Sequence, residues 1–306
     1  MSSKEQLEQY TREVEEVIKN YLPTENGYQR TVLEAMNYSM KAGGKRLRPL
    51  FMREVYRLFS AEQGNSKSEE TRQEQVVEPF MAAIEMIHTF SLVHDDLPCM
   101  DNDRLRRGKP TTWVQYGYDM AVLAGDALAV YAFETASKAF SMSNRTDAVG
   151  RCIGLLASKA GVYGMIGGQT LDVELTGKPV DKEQMDFIYR LKTGALLEAP
   201  MMIGAILGGA EEKQVEAVEK MATCIGLAFQ IQDDILDLTS TTEKLGKPTF
   251  SDEKNEKTTY VTLYGMEQAK QAVRDLSGQA EEILKSLPGN HSFLMYLINL
   301  LITREK

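Results

Sequence analysis

Residues 94–107, His94-Asp95-Asp96-Leu97-Pro98-Cys99-Met100-Asp101-Asn102-Asp103-Arg104-Leu105-Arg106-Arg107, set Asp95, Asp96, Asp101 and Asp103 against Arg104, Arg106 and Arg107. Carboxylates this close repel one another unless something positive sits among them. Oxygen-only ligands suit magnesium, which takes one or two carboxylates together with phosphate oxygens. The planar arginine forks match a phosphate group. Acid followed at once by base reads as a site for a metal-bound phosphate ester; the plainer alternative is a solvated charged loop.

A second acidic cluster weighs against the loop. Gln230, Asp233, Asp234 and Asp237 stand at i, i+3, i+4 and i+7, one face of a helix. Leu227, Ile231, Ile235 and Leu238 form an apolar stripe on another face. A surface helix mixes charges of both signs across its outer side. A narrow, purely acidic seam in an apolar helix is tolerable when it lines a polar cavity or holds cations. The first cluster is less regular. Asp95 and Asp101 lie about 240° apart on an ideal helix, so a bend at Pro98 would be needed to bring them together.

Basic residues surround these clusters. Lys41-Ala42-Gly43-Gly44-Lys45-Arg46-Leu47-Arg48-Pro49 places cations about a Gly-Gly break, where the backbone is free to approach a phosphate that Lys45 and Arg48 would hold. The Walker spacing is missing, and a basic helix terminus facing its own dipole is the bland reading. Lys192-Thr193-Gly194 interrupts an apolar helix, where a lysine is expensive unless it meets anions or snorkels to water. Lys247 and Lys257 lie in or just after a long polar loop that would close over a polyanion or form ordinary surface. His88 precedes Asp95 by two helical turns, although a lone histidine is more often a hydrogen-bonded core residue.

The elements that must carry these residues read as helices: 4–20, 28–41, Pro49 to Phe59, 77–97, about 118–140, a glycine-spotted but periodic stretch 148–175, then 181–208 and 211–238. Further helices run to the C-terminus and break at Pro288-Gly289-Asn290. Gly161, Gly164, Gly167 and Gly168 would allow close helix approach. Residues 61–75 and roughly 239–255 read as polar loops. Strand patterns are nearly absent, and no repeat or Gly/Ser-rich linker divides the chain. The expectation is one all-α domain over 1–306, a bundle of ten or more helices.

The 306 residues are 43% hydrophobic, ample for a large core, and carry a net charge of −9, which argues against a nucleic-acid partner. Cys99, Cys152 and Cys224 are scattered and unpaired in spacing, as in a reduced cytoplasmic protein. The N-terminus shows no apolar leader. No run approaches the length of a membrane span, and the apolar window from Ala195 to Ala210 reads as a buried helix.

Taken together, the sequence resembles the trans-type prenyl diphosphate synthases, of the bacterial farnesyl diphosphate synthase kind. The likeness runs from Gly43-Gly44-Lys45-Arg46-Leu47-Arg48-Pro49 through Asp95-Asp96-Leu97-Pro98-Cys99-Met100-Asp101 and Arg106-Arg107-Gly108-Lys109-Pro110-Thr111. It continues in Gly167-Gly168-Gln169-Thr170-Leu171-Asp172, Lys192-Thr193 and Phe229-Gln230-Ile231-Gln232-Asp233-Asp234-Ile235-Leu236-Asp237. The resemblance implies an isoprenoid synthase fold with a central cavity, and condensation of isopentenyl diphosphate with an allylic diphosphate. It implies three magnesium ions with substrate bound, held by Asp95 and Asp101 on one wall and Asp233 on the other, with Asp96 and Asp237 in support. It gives the allylic diphosphate to Arg106, Lys192, Lys247 and Lys257, and that of isopentenyl diphosphate to Lys45, Arg48, His88 and Arg107. Thr193 and Gln230 would border the carbocation. A bulky residue five positions before the first aspartate, here Phe90, shortens the tail pocket in this family. Five helical residues span about 7.5 Å, on the scale of one prenyl unit. A farnesyl (C15) product is therefore expected, with geranyl (C10) and geranylgeranyl (C20) as alternatives. A terpene cyclase would lack the second diphosphate pocket and would show an Asn/Ser/Glu triad in place of the Asp233 motif. A non-catalytic subunit would show degraded acidic motifs. The family also implies a homodimer.

Overall fold

The computed structural model describes residues 2–60, 74–239 and 258–302. The fold is all-α. By contacts the chain divides into two compact units, Met1–Arg53 with Ser66–Ile153, and Glu54–Asn65 with Gly154–Lys306.

In the first unit α1 (Ser3–Asn20) opens on a capping box, with the Ser2 hydroxyl accepting from the Glu5 amide and the Glu5 carboxylate accepting in return. It buries Val14 and Ile18. After α2 (Arg30–Met40) and the start of α3 (Leu47–Ser60) comes α4 (Glu78–Asp95), buried along most of its length. A two-residue hairpin pairs β1 (Leu105–Arg106) with β2 (Lys109–Pro110). Then α5 (Thr112–Tyr116) ends at Gly117, whose φ of 95° lets α6 (Tyr118–Ser137) begin at once. Helix α6 packs on α4 and α2, and α1 packs on α4. Lys138–Ser141 extends α6 as a 3₁₀ turn.

The hairpin is absent from the sequence expectation, because two-residue strands carry no alternation. Arg107 and Gly108, at φ 53° and 75°, make the left-handed turn that such a hairpin requires. Tyr38 and Ser39 of α2 anchor the segment after it. The Tyr38 hydroxyl donates to the Pro110 carbonyl at 2.7 Å, and Ser39 shares a hydrogen bond with Thr112.

The stretch 148–175 is two helices, α7 (Thr146–Ala160) and α8 (Met165–Glu174). Gly161 and Gly164 do not serve helix contact; they form the break, where a Cβ on Gly164 would lie 2.1 Å from the Lys159 carbonyl. Gly168 does serve it: a Cβ there would meet the Lys192 amide at 2.3 Å. In the second unit α9 (Lys182–Ile188) runs through a π-helical turn, Tyr189–Gly194, into α10 (Ala195–Gly208), which is wholly buried. Helix α11 (Glu212–Thr239) packs on α10 and on the π turn. Gly194 and Gly226 allow that approach, since a Cβ on Gly226 would sit 2.9 Å from the Gly194 Cα. Next come α12 (Tyr260–Tyr264), then Gly265 at φ 84°, and α13 (Met266–Ser286), which lies on α11. Helix α14 (Ser292–Ile302) follows the break at Pro288–Asn290.

The continuous helical segment Lys182–Gly208 is long and apolar enough by composition to cross a membrane, where the sequence reading found no such run. The hydropathic window is 83% buried inside the fold, so its apolar surface is spent on the core.

Candidate active site

Helix α4 delivers Asp95 at its last turn. Beyond it the chain folds back, with the Asp101 amide donating to the Asp95 carbonyl and the Asn102 amide to the Leu97 carbonyl. Asn102 adopts a φ of 54° to close the turn. Asp101 is thereby brought beside Asp95 by backbone hydrogen bonds, which no helical period would have done. Asp95 is half-buried and Asp101 exposed.

Asp96 has a different position. It is 3% exposed and takes a bidentate fork from Arg106, with Nε 2.9 and 3.0 Å from its two oxygens and Nη2 at 2.6 Å. Burial pushes the Asp96 carboxyl above its ordinary value, against the pull of Arg106. Burial lowers Arg106, but its hydrogen bonds and attraction to Asp96 outweigh that and raise it. These two residues, assigned from the sequence to metal support and to the allylic diphosphate, are brought onto each other.

The basic residues of the first unit converge on His88. Arg48, Arg107, Arg106 and Arg46 all act on it, and after burial itself they hold the imidazole well below its ordinary value, hence neutral at pH 7. Burial also lowers Arg48 and Arg107, partly offset by Glu85. The Arg48 Nε is buried with no hydrogen-bond partner among the described residues. Arg46, at φ 50° and 5% exposed, binds the buried Glu85 at 2.7 Å and the Met40 carbonyl at 2.7 Å. The Arg107 guanidinium donates to the Gly43 carbonyl. A Cβ on Gly44 would lie 2.9 Å from that guanidinium, which is why glycine stands there. Lys45 is exposed. Crowded cations and an orphaned buried N–H are what an anionic ligand would satisfy.

The second unit presents its own polar cavity of about 100 Å³, lined by Asp172, Lys192, Thr193, Gln230 and Asp234 together with Leu175, Met185 and Ile188. The π turn sets Lys192 and Thr193 into it; such turns shift the helical phase and recur at functional sites. Lys192 Nζ pairs with Asp172 at 2.6 Å, and the Thr193 hydroxyl donates to Gln230 Oε1 at 3.0 Å. Asp172 supplies the anion that a lysine in an apolar helix needs, a partner that sequence spacing did not single out. Asp234 is 3% exposed and accepts from the Tyr189 hydroxyl at 2.6 Å and the Tyr260 amide at 2.8 Å. Asp233 is half-buried and Asp237 buried on the same helix. Lys247 and Lys257 lie outside the described residues.

Among the described residues no three His, Cys, Asp or Glu side chains form a ready metal cage. Magnesium does not need one, since it keeps waters and phosphate oxygens beside one or two carboxylates. The all-oxygen pair Asp95 and Asp101, held by the turn, fits that demand.

A family model for polyprenyl synthetase matches residues 29–292. The chain belongs to the polyprenyl synthetase family. Its relatives include a farnesyl diphosphate synthase of Geobacillus stearothermophilus, 38% identical over 100% of this chain and 99% of that one. A putative chloroplastic geranylgeranyl pyrophosphate synthase of Arabidopsis thaliana is 45% identical over 83% of this chain and 68% of its own length. Against some plant relatives the chain spans slightly less than two thirds, 65% for that of Capsicum annuum. Among solved structures, an apo FPP/GFPP synthase from Zymomonas mobilis is 34% identical with a TM-score of 0.81, covering 99% of both chains. A Helicobacter pylori geranyltransferase, complexed with magnesium and isoprenyl diphosphate, is 30% identical with a TM-score of 0.83 over 99% of this chain and 97% of that one. Polyprenyl synthetase membership makes the chain a prenyl diphosphate synthase and confirms the all-α isoprenoid synthase fold.

Proposed function

We propose that this prenyl synthetase condenses isopentenyl diphosphate head-to-tail with dimethylallyl and then geranyl diphosphate, giving farnesyl diphosphate in a magnesium-dependent reaction. The observation that carries the reading is the cationic set around the neutral His88, on the same helix that delivers Asp95. A cyclase acting on one diphosphate has no use for a basic pocket beside its carboxylates, and a degenerate subunit would not keep both.

Asp95, Asp101 and Asp233 would hold the magnesium ions, three of them with substrate bound, and the metal would neutralise the leaving diphosphate. Lys45, Arg48, His88 and Arg107 bind the diphosphate of isopentenyl diphosphate. Arg106, Lys192, Lys247 and Lys257 bind the allylic diphosphate. Breaking the allylic C–O bond leaves a carbocation that Thr193 and Gln230 border, and apolar walls keep water from quenching it. A new C–C bond forms to the isopentenyl carbon, and the proton then lost goes to the departed diphosphate, so no histidine base is required. Exposed Leu123 and Val130 of α6 support a homodimer, working in the cytoplasm.

Product length follows from Phe90, 8% exposed on α4. The likeness to plant geranylgeranyl synthases favours C20 as the second reading. Incubation with isopentenyl and dimethylallyl diphosphates, with and without magnesium, followed by mass identification of the alcohols, decides between them. Magnesium-dependent farnesol is expected. Geranylgeraniol discards the Phe90 floor, and absence of condensation from any allylic primer sinks the activity.

A further inference from the structure

Phe90 does not stand alone on its helix. One turn on, His94 meets it almost at right angles, with ring centroids 5.8 Å apart and planes at 80°. The far side of the His94 ring is held by α6. Its Nε2 donates to the Val122 carbonyl at 3.1 Å, and Asp126 lies 3.9 Å from the same nitrogen. The ring occupies the space over Gly125 so completely that a Cβ there would fall 2.1 Å from Nε2 and 2.3 Å from Cδ2. Gly125 lies inside a regular helix, where glycine is less favourable than alanine. The close approach of His94 explains the glycine.

We infer that His94, seated in the gap left by Gly125, is a positioning residue that sets product length by bracing Phe90. This rests on the reading of Phe90 as the floor of the tail pocket. A growing prenyl chain pressing on Phe90 meets a ring that cannot yield while the imidazole behind it is tied to the α6 backbone. Without that brace the phenyl ring gains room to turn aside, and the chain can add another five-carbon unit before release. His94 touches no reacting atom in this scheme, so its loss changes which product leaves rather than how isopentenyl diphosphate binds.

The test compares His94→Leu, which fills the volume without ring or hydrogen bond, with His94→Phe, which restores the ring, each alone and combined with Phe90→Ala. Products are identified by mass and the KM for isopentenyl diphosphate is measured alongside. His94→Leu should raise the C20:C15 ratio by roughly 2- to 10-fold, the range of an edge-to-face aromatic contact. It should leave that KM unchanged, and His94→Phe, which keeps the ring but loses the tie to the Val122 carbonyl, should give a ratio between those of His94→Leu and the parent. In the Phe90→Ala background His94→Leu should add nothing. A folded His94→Leu or Gly125→Ala protein with the parent product ratio overturns the brace while leaving the floor intact. So does a full effect of His94→Leu in the Phe90→Ala background. If Phe90→Ala alone leaves the product at C15, the floor itself fails and the brace goes with it.

Discussion

Asp96 and Asp234 are the second carboxylates of the two acidic clusters and are equally buried, at 3% exposure, yet they are satisfied by different chemistry. Asp96 receives a guanidinium fork carried in by the hairpin. Asp234 receives a phenol from the head of the π turn and the first amide of α12. A buried ion pair is unforgiving, because removing one partner strands a charge. Neutral donors contribute less each but tie separate pieces of backbone to a single oxygen, Oδ2 of Asp234. The first cluster therefore depends on electrostatics and the second on geometry, and each has a half-buried neighbour, Asp95 or Asp233.

The largest effect should come from those neighbours. Asp95→Ala and Asp233→Ala should each lower kcat by about 10²- to 10³-fold, the scale of losing one group that stabilises developing charge. Their urea unfolding midpoints should stay close to the parent; a large shift would show that these carboxylates hold the fold instead. Arg106→Met should destabilise by about 3 kcal/mol in urea unfolding, since it leaves Asp96 buried and unpaired. Tyr189→Phe should cost less, about 1 kcal/mol for one lost hydrogen bond, because the Tyr260 amide still donates to Asp234. Equal losses in the two variants would show that Asp96 and Asp234 are held alike. The smallest effect is a pH signature confined to the first unit. His88 is held neutral well below its ordinary 6.5, so the unfolded chain takes up a proton that the folded chain refuses. That stability is present above pH 6.5 and lost as pH falls toward the folded value, by at most about 1.4 kcal/mol per unit. His88→Gln should flatten the thermal-melting profile between pH 6.5 and 5.5.

What the sequence made legible follows how locally each feature is encoded. The seam Gln230-Asp233-Asp234-Asp237 was readable because helical period alone aligns it. The juxtaposition of Asp95 and Asp101 was not, because a turn of backbone hydrogen bonds makes it. Lys192 announced its need for an anion, but Asp172 comes from another helix and only the fold supplies it. Gly125 looks like an ordinary helix glycine until the His94 ring is placed against it, whereas Gly168 is legible as a contact glycine and meets the Lys192 amide. The π turn left no mark on the apolar pattern of 181–208, since an added residue in one turn leaves both flanking helices periodic. Gly161 and Gly164 were read as contact residues when their role is to end a helix.

The division into units cuts α3 between Arg53 and Glu54 and α7 between Ile153 and Gly154. A ribosome delivering this chain in order therefore completes neither unit before starting the other. Tyr56, Leu58 and Phe59 emerge early, but the backbone they close upon at Gly208 and Gly289 arrives much later. At the usual 5–20 residues per second that is a wait of roughly tens of seconds with apolar side chains uncovered. The second half of α3 is the natural place for a chaperone to hold the nascent chain.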